Sequence, residues 1–173
     1  SGTDIGSLTL DNGVRSGVTL TQSSGQGGWY QGPSGFSGTL GNTVMENFTD
    51  TDTDVGYSYT FGNVNAGVGS LYDVYIYSAR GFANTGVAEF TIDGQSQFMV
   101  SENIVGDYQQ GGWATQALAE ANPDTGNYVR FQGLTFDTLV IGVAAHTDAT
   151  SGGHIAGVSG IQIVAVPEPS TLL

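Results

Sequence analysis

The chain has 173 residues, 16 acidic side chains against 3 basic ones (Arg15, Arg80 and Arg130), no lysine and no cysteine. A net charge of −13 repels nucleic acid and anionic lipid, and it leaves divalent cations as natural counter-ions. Charged residues are only 11% of the total, so polarity rests on Gly, Ser, Thr, Asn and Gln, as on an ordered, hydroxyl- and amide-coated surface. The length suits one domain burying about 70% of its unfolded surface without disulfides, and no run reaches the roughly 20 apolar residues of a membrane span.

In chain order, alternation at period two predicts strands over Ser7 to Leu10, before an Asp11-Asn12-Gly13 turn, and over Gly17 to Gln22. A Gly- and Ser-rich irregular segment, Ser23 to Thr39, precedes further strands at Val44 to Phe48, Tyr57 to Phe61 and Tyr72 to Tyr77. Val87 to Ile92 and Gln95 to Val100 flank Asp93-Gly94, a dipeptide that tolerates the positive φ angles of a hairpin turn. A second irregular segment, Gly106 to Asn127, contains the sole helical signal, Thr115 to Ala121, ended by Asn122-Pro123. Strands then follow at Tyr128 to Leu134, Thr138 to Ala145 and Val158 to Val166. Nine or ten short strands separated by turn clusters predict an all-β, antiparallel β-sandwich with at most one short helix. Residues 1–166 read as a single domain and 167–173 as a tail.

Three groups of residues stand out chemically. Asp50, Asp52 and Asp54 alternate in Asp-Thr-Asp-Thr-Asp, a repelling set that a hard cation such as calcium, taking 6 to 8 oxygen ligands, would relieve. It is no EF-hand, since Val55 and Phe61 occupy the glycine and glutamate positions of that loop; a solvated polar loop is the alternative. Gln26-Gly27-Gly28-Trp29 is echoed by Gln110-Gly111-Gly112-Trp113, and these hold both tryptophans. Sugars stack their C–H faces on aromatic rings and bond amides through their hydroxyls, so Trp29, Tyr30, Tyr108 and Trp113 with Gln31, Gln109 and Gln110 form a candidate carbohydrate platform. The alternative places each Trp as a plug at an end of the core. His146, Asp148 and His154 lie close in sequence without a recognised metal spacing. Ser159 lacks the context of a nucleophile elbow, and abundant carboxylates do not by themselves make a glycosidase dyad. Asn47-Phe48-Thr49 matches a glycosylation acceptor pattern, which by itself carries little weight. The chain therefore reads as non-enzymatic.

Two resemblances add to this. Val166-Pro167-Glu168-Pro169-Ser170-Thr171-Leu172-Leu173 resembles the opening of a PEP-CTERM sorting tail, the substrate of exosortase-type enzymes. The resemblance implies export to the surface or extracellular matrix of a Gram-negative-type bacterium, and the company of exopolysaccharide. The ends then read as those of a mature product, with a trimmed chain as the alternative. The run from Leu71-Tyr72-Asp73-Val74-Tyr75-Ile76-Tyr77 through Phe136-Asp137-Thr138-Leu139-Val140-Ile141 to Gly157-Val158-Ser159-Gly160-Ile161-Gln162-Ile163-Val164 resembles galactose-binding-like and malectin-like jelly rolls. That likeness implies a jelly-roll-like sandwich. It also implies a structural calcium near the chain ends, which would engage Asp4 or Asp11 and backbone carbonyls. The expectation is an exported structural protein, a homo-oligomer or filament built by strand addition through its ends; the alternative is a carbohydrate-binding module.

Overall fold

The computed structural model describes residues 3–9, 15–23, 28–30, 47–51, 56–78, 86–100, 108–123, 126–147 and 156–167. The chain passes back and forth between two β layers. One is a six-stranded sheet in the order β1-β2-β5-β10-β7-β8, formed by Thr3–Thr9, Arg15–Gln22, Tyr57–Gly62, Leu139–His146, Val87–Ile92 and Gln95–Met99 respectively. The other consists of two three-stranded ladders. β11 (Ala156–Val158), β4 (Asn47–Thr51) and β3 (Gly28–Tyr30) make one, and β12 (Gly160–Ala165), β6 (Tyr72–Tyr77) and β9 (Tyr128–Leu134) the other. Ser159 links β11 to β12 and its N–H still donates to the Tyr77 carbonyl at 2.8 Å. The strand expected at Val158 to Val166 is thus one extended run that changes partner, from β4 to β6. Every ladder is antiparallel.

Period-two alternation sends one side of each strand into a shared core. Tyr57, Tyr59 and Phe61 of β5, Phe90 and Ile92 of β7, and Leu139, Ile141 and Val143 of β10 meet Tyr72, Val74 and Ile76 of β6 with Val129, Phe131 and Leu134 of β9. This interdigitation makes the molecule an antiparallel β-sandwich. The β7–β8 hairpin turns at Asp93 (φ 48) and Gly94 (φ 74), the two positive angles that favour Asp-Gly there.

Two corners lock one end of the core. A one-turn helix, α1 (Val64–Gly67), carries the chain from β5 to β6 and follows Asn63 at φ 58. It buries Val64. The connection from β9 to β10 holds it: the Asp137 carbonyl accepts the Val64 N–H at 2.9 Å and its Oδ1 accepts the Asn65 N–H at 3.2 Å. The Tyr72 hydroxyl donates to the Phe136 carbonyl at 2.7 Å. The second helix, α2 (Gln116–Glu120), is the one expected, capped by the Thr115 hydroxyl accepting the Leu118 N–H at 3.3 Å. The described residues thus hold two short helices where at most one was expected. A four-residue turn is too short to leave a helical period in the sequence, and α1 is imposed by the corner. No helix among the described residues is long and apolar enough to cross a membrane.

Three other expectations shift. β3 lies inside a segment expected to be irregular, β4 runs on past the expected Phe48 through Asp50 and Thr51, with residues 44–46 outside the described set, and β1 includes Thr3, ahead of the expected Ser7. Pairing with another strand, β2 for β1, β4 for β3, and β3 and β11 for β4, sets these bounds, which local propensity does not encode. The N-terminal strand pairs with β2 of its own chain, Thr3 opposite Gln22 and Ser7 opposite Thr19.

Candidate functional site

Residues 108 to 113 cross the open side of the sandwich and tie the edges of its two layers. At one end the Gly111 N–H donates to the Tyr128 carbonyl at 2.8 Å, and the Gln109 carbonyl accepts the Asn127 N–H at 2.9 Å. The Asn127 side chain, fully buried, returns a bond by accepting the Gln109 N–H at 3.0 Å. At the other end Trp113 exchanges two backbone bonds with Phe98 of β8, at 2.8 and 2.9 Å. Gln97 spans the same gap, its Nε2 donating to the Arg130 carbonyl at 2.6 Å. Such a strap covers edges that would otherwise invite pairing. Glycines in the strap and in β9's approach to it leave room for the crossing. A Cβ on Gly112, at φ +99, would sit 2.2 Å from Gln97 Oε1, and one on Gly126 would sit 2.2 Å from the Gly111 nitrogen.

The strap delivers Tyr108 to the outer face of the β12-β6-β9 sheet, where alternation has already set Tyr75, Tyr77, Tyr128, Arg130 and Gln162. Val74 and Ile76 point inward, so Asp73, Tyr75 and Tyr77 must point the other way. Tyr77 lies directly opposite Tyr128, and Tyr75 opposite Arg130 on one side and Gln162 on the other. The rings touch in a chain: Tyr108 meets Tyr77 edge-on with centroids 5.2 Å apart, Tyr77 meets Tyr128 at 5.7 Å, and Tyr128 meets Tyr75 at 5.8 Å. Tyr108 is 44% exposed and Gln109, Gln110 and Gln162 are exposed beside it. The Tyr77 hydroxyl donates to Gln162 Oε1 at 2.9 Å, and the Arg130 guanidinium stands 5.3 Å from the Tyr75 ring centre.

Arg130 is held by Asp73, which is 6% exposed. Asp73 Oδ2 accepts from Arg130 Nη2 at 2.5 Å and Nε at 3.2 Å, and its Oδ1 accepts the Gly133 N–H at 2.9 Å. Gly133, at φ +66, sits in a bulge where β9 carries an extra residue against β6. The bond to Asp73 raises the guanidinium pKa above its ordinary value, so the arginine stays charged and paired.

Burial, followed by the neighbouring phenols of Tyr108, Tyr128 and Tyr75, raises the Tyr77 pKa above the tyrosine norm. Burial raises Tyr72 as well. In both, the folded pKa lies above an unfolded value of about 10, so their contribution to stability is complete below that pH and is lost as pH rises through the folded pKa. In an ultraviolet titration of the eight tyrosines, Tyr72 and Tyr77 are expected among those that ionise late. Tyr77→Phe removes one of them and flattens the alkaline loss of stability; an unchanged late fraction in that variant would show that Tyr77 is not so placed.

Of the sequence-derived platform, Tyr108, Gln109 and Gln110 come together beside the tyrosine face. Trp113 does not join them. It packs at the other end of the strap, on the other layer, with Phe98 against Val87, Val100 and Ala119, and among the described residues its buried indole N–H meets no acceptor. Trp29 and Tyr30 stand on β3, their side chains outside the described set, and Gln31 lies outside it altogether. The two Gly-Gly-Trp echoes nevertheless share a backbone role: Trp29 pairs antiparallel with Phe48, as Trp113 does with Phe98. Asp50 lies on β4 opposite Gly157, with its side chain undescribed; Asp52 and Asp54 lie outside the described residues. So do Asp148 and His154, as well as Asp11. His146 is placed: its Nε2 lies 2.7 Å from Glu89 Oε2, while Glu89 Oε1 accepts the Ser96 hydroxyl at 2.6 Å. The carboxylate stands between hydroxyl and imidazole, which is not the order of a nucleophile relay. No group of three or more metal-ligating side chains occurs among the described residues. A shallow groove of about 360 Å³ on the six-stranded sheet is lined mainly by small residues and hydroxyls, including Ser23, Ser58, Thr91 and Gly142.

Sequence reasoning missed Tyr75, Tyr77, Tyr128 and Gln162, although the signal was present. In Tyr-Asp-Val-Tyr-Ile-Tyr the parity that buries Val74 and Ile76 exposes Tyr75 and Tyr77. Comparison with protein-family models, curated proteins and solved structures finds no match.

Proposed function

We propose that this chain is a non-enzymatic bacterial surface or matrix protein that holds polysaccharide on the tyrosine face of its β12-β6-β9 sheet. The observation that carries the reading is the contiguous paving of Tyr75, Tyr77, Tyr128 and Tyr108, rimmed by the carboxamides of Gln109, Gln110 and Gln162. Rings receive the apolar faces of sugars, and carboxamides receive their hydroxyls. Among the described residues of the face the carboxylate is Asp73, and its commitment to Arg130 and Gly133 favours holding a sugar over cleaving one. Export is supported by the likeness of residues 166–173 to a PEP-CTERM tail. Assembly into filaments is a second reading, supported by β1, a terminal strand of its sheet, which offers an edge for strand addition; light scattering of the protein would separate monomer from polymer.

The glycan reading is tested by affinity electrophoresis through gels carrying soluble polysaccharides. Removing one stacked ring is worth about 1 kcal/mol, so Tyr77→Ala and Tyr128→Ala should each weaken binding about fivefold, while Trp113→Phe leaves it unchanged. Equal retardation of wild type and both tyrosine variants would defeat the reading.

A further inference from the structure

Resting on the glycan reading, we infer that the tyrosine face selects an uncharged polysaccharide segment over a uronate- or sulfate-bearing one. The described cation of the face already has its charge balanced by a carboxylate. Arg130 donates through both Nε and Nη2 to one oxygen of Asp73, and the other oxygen is taken by the Gly133 bulge. The pair is neutral as a unit and is pinned over the Tyr75 ring. With that charge balanced, what the face offers a ligand is the outer guanidinium N–H of Arg130, 31% exposed, together with phenolic hydroxyl and carboxamide. The hydroxyl and the carboxamide donate as well as accept, as sugar hydroxyls do, whereas an ionised carboxylate or sulfate only accepts and draws most from cations and fixed N–H donors.

The whole molecule reinforces the local chemistry. At a net charge of −13, with three arginines and no lysine, an approaching polyanion meets a repulsive field, and the one arginine among the described residues of the face is already paired. A neutral chain meets no such barrier and its binding should not vary with salt. The dimensions fit a short internal stretch of polymer. Three strands span about 10 Å and the two same-face tyrosines of β6 lie about 7 Å apart along it, enough for two or three sugar rings.

The test uses the intact protein in gels carrying hydroxyethyl cellulose, galactomannan or pullulan as neutral probes and alginate or polygalacturonate as anionic ones, at low and high sodium chloride. The expected result is retardation by a neutral polymer that is insensitive to salt, falls about fivefold in Tyr77→Ala and also in the rim variant Tyr108→Ala, and is absent with alginate. Circular dichroism checks that both variants fold. Retardation by alginate that fades with salt and falls in the same variants would overturn the selectivity while leaving the glycan face standing. Retardation by none of the probes, or retardation unchanged in both folded variants, would overturn the glycan face and the selectivity together.

Discussion

Gly126→Ala should cost on the order of 3 kcal/mol of stability, the upper range for forcing a methyl group into a filled site, and should abolish binding on the tyrosine face. The added Cβ would stand 2.2 Å from the Gly111 nitrogen, 2.3 Å from its Cα and 2.7 Å from the Gln110 carbonyl carbon. All three are backbone atoms, so no rotamer change relieves the contact. The strap must lift from β9, breaking the bonds that Gly111 and Gln109 make to Tyr128 and Asn127, and Tyr108 leaves Tyr77 with it. Gly133→Ala is the control. That residue is at φ +66 but a Cβ there meets nothing within 4 Å, so only the left-handed conformation is penalised, at about 1 to 2 kcal/mol. Urea unfolding should show a large fall in midpoint for Gly126→Ala and a smaller one for Gly133→Ala, each with little change in slope. Equal stability of Gly126→Ala and wild type would mean that the strap does not cross at Gly111.

Leu139→Ala and Val140→Ala should differ by several kcal/mol although the residues are neighbours. Leu139 is fully buried against the core and Val140 is 49% exposed, so the first loses about 3 kcal/mol with the cavity it leaves and the second stays within about 0.5 kcal/mol. The pair is a direct test of register. Leu139 faces Phe61 and Val140 faces Thr60 across the β10–β5 ladder, and a one-residue slip would exchange their fates. A costly Val140→Ala with a tolerated Leu139→Ala would overturn the ladder assignment at the centre of the six-stranded sheet.

Where a strand alternates cleanly and is bounded by a turn with its own chemistry, the chain itself declares it. β6, β7 and β9 match their expected limits, and the Asp93-Gly94 turn falls where its side chains require. β3 could not be read: three residues in a glycine-rich run carry no period, and β3 exists through its pairing with β4. The candidate site divides the same way. The strap residues Tyr108, Gln109 and Gln110 stood out through a repeated motif, but that motif's glycines and tryptophans serve the crossing and the edge pairing. The rings that extend the platform came from the outward parity of β6 and β9, which becomes informative once the inward parity is fixed. Which ring meets which depends on strand order, with β6 between β9 and β12, and pairing across such distances leaves no local trace.

The passage of the chain back and forth between layers has a kinetic consequence. β5 and β9 are each alone in their layer between visits to the other, and β10 pairs with β5 and β7, both remote in sequence. Most ladders must therefore close long loops before any burial rewards them, the regime in which folding takes on the order of milliseconds to seconds instead of microseconds. The β7–β8 hairpin, with its two-residue turn, needs no distant partner, and β1 and β2 are likewise neighbours in sequence. The β7–β8 hairpin can form in about 1 to 10 microseconds, ahead of β10, the strand that joins it to the other half of its sheet.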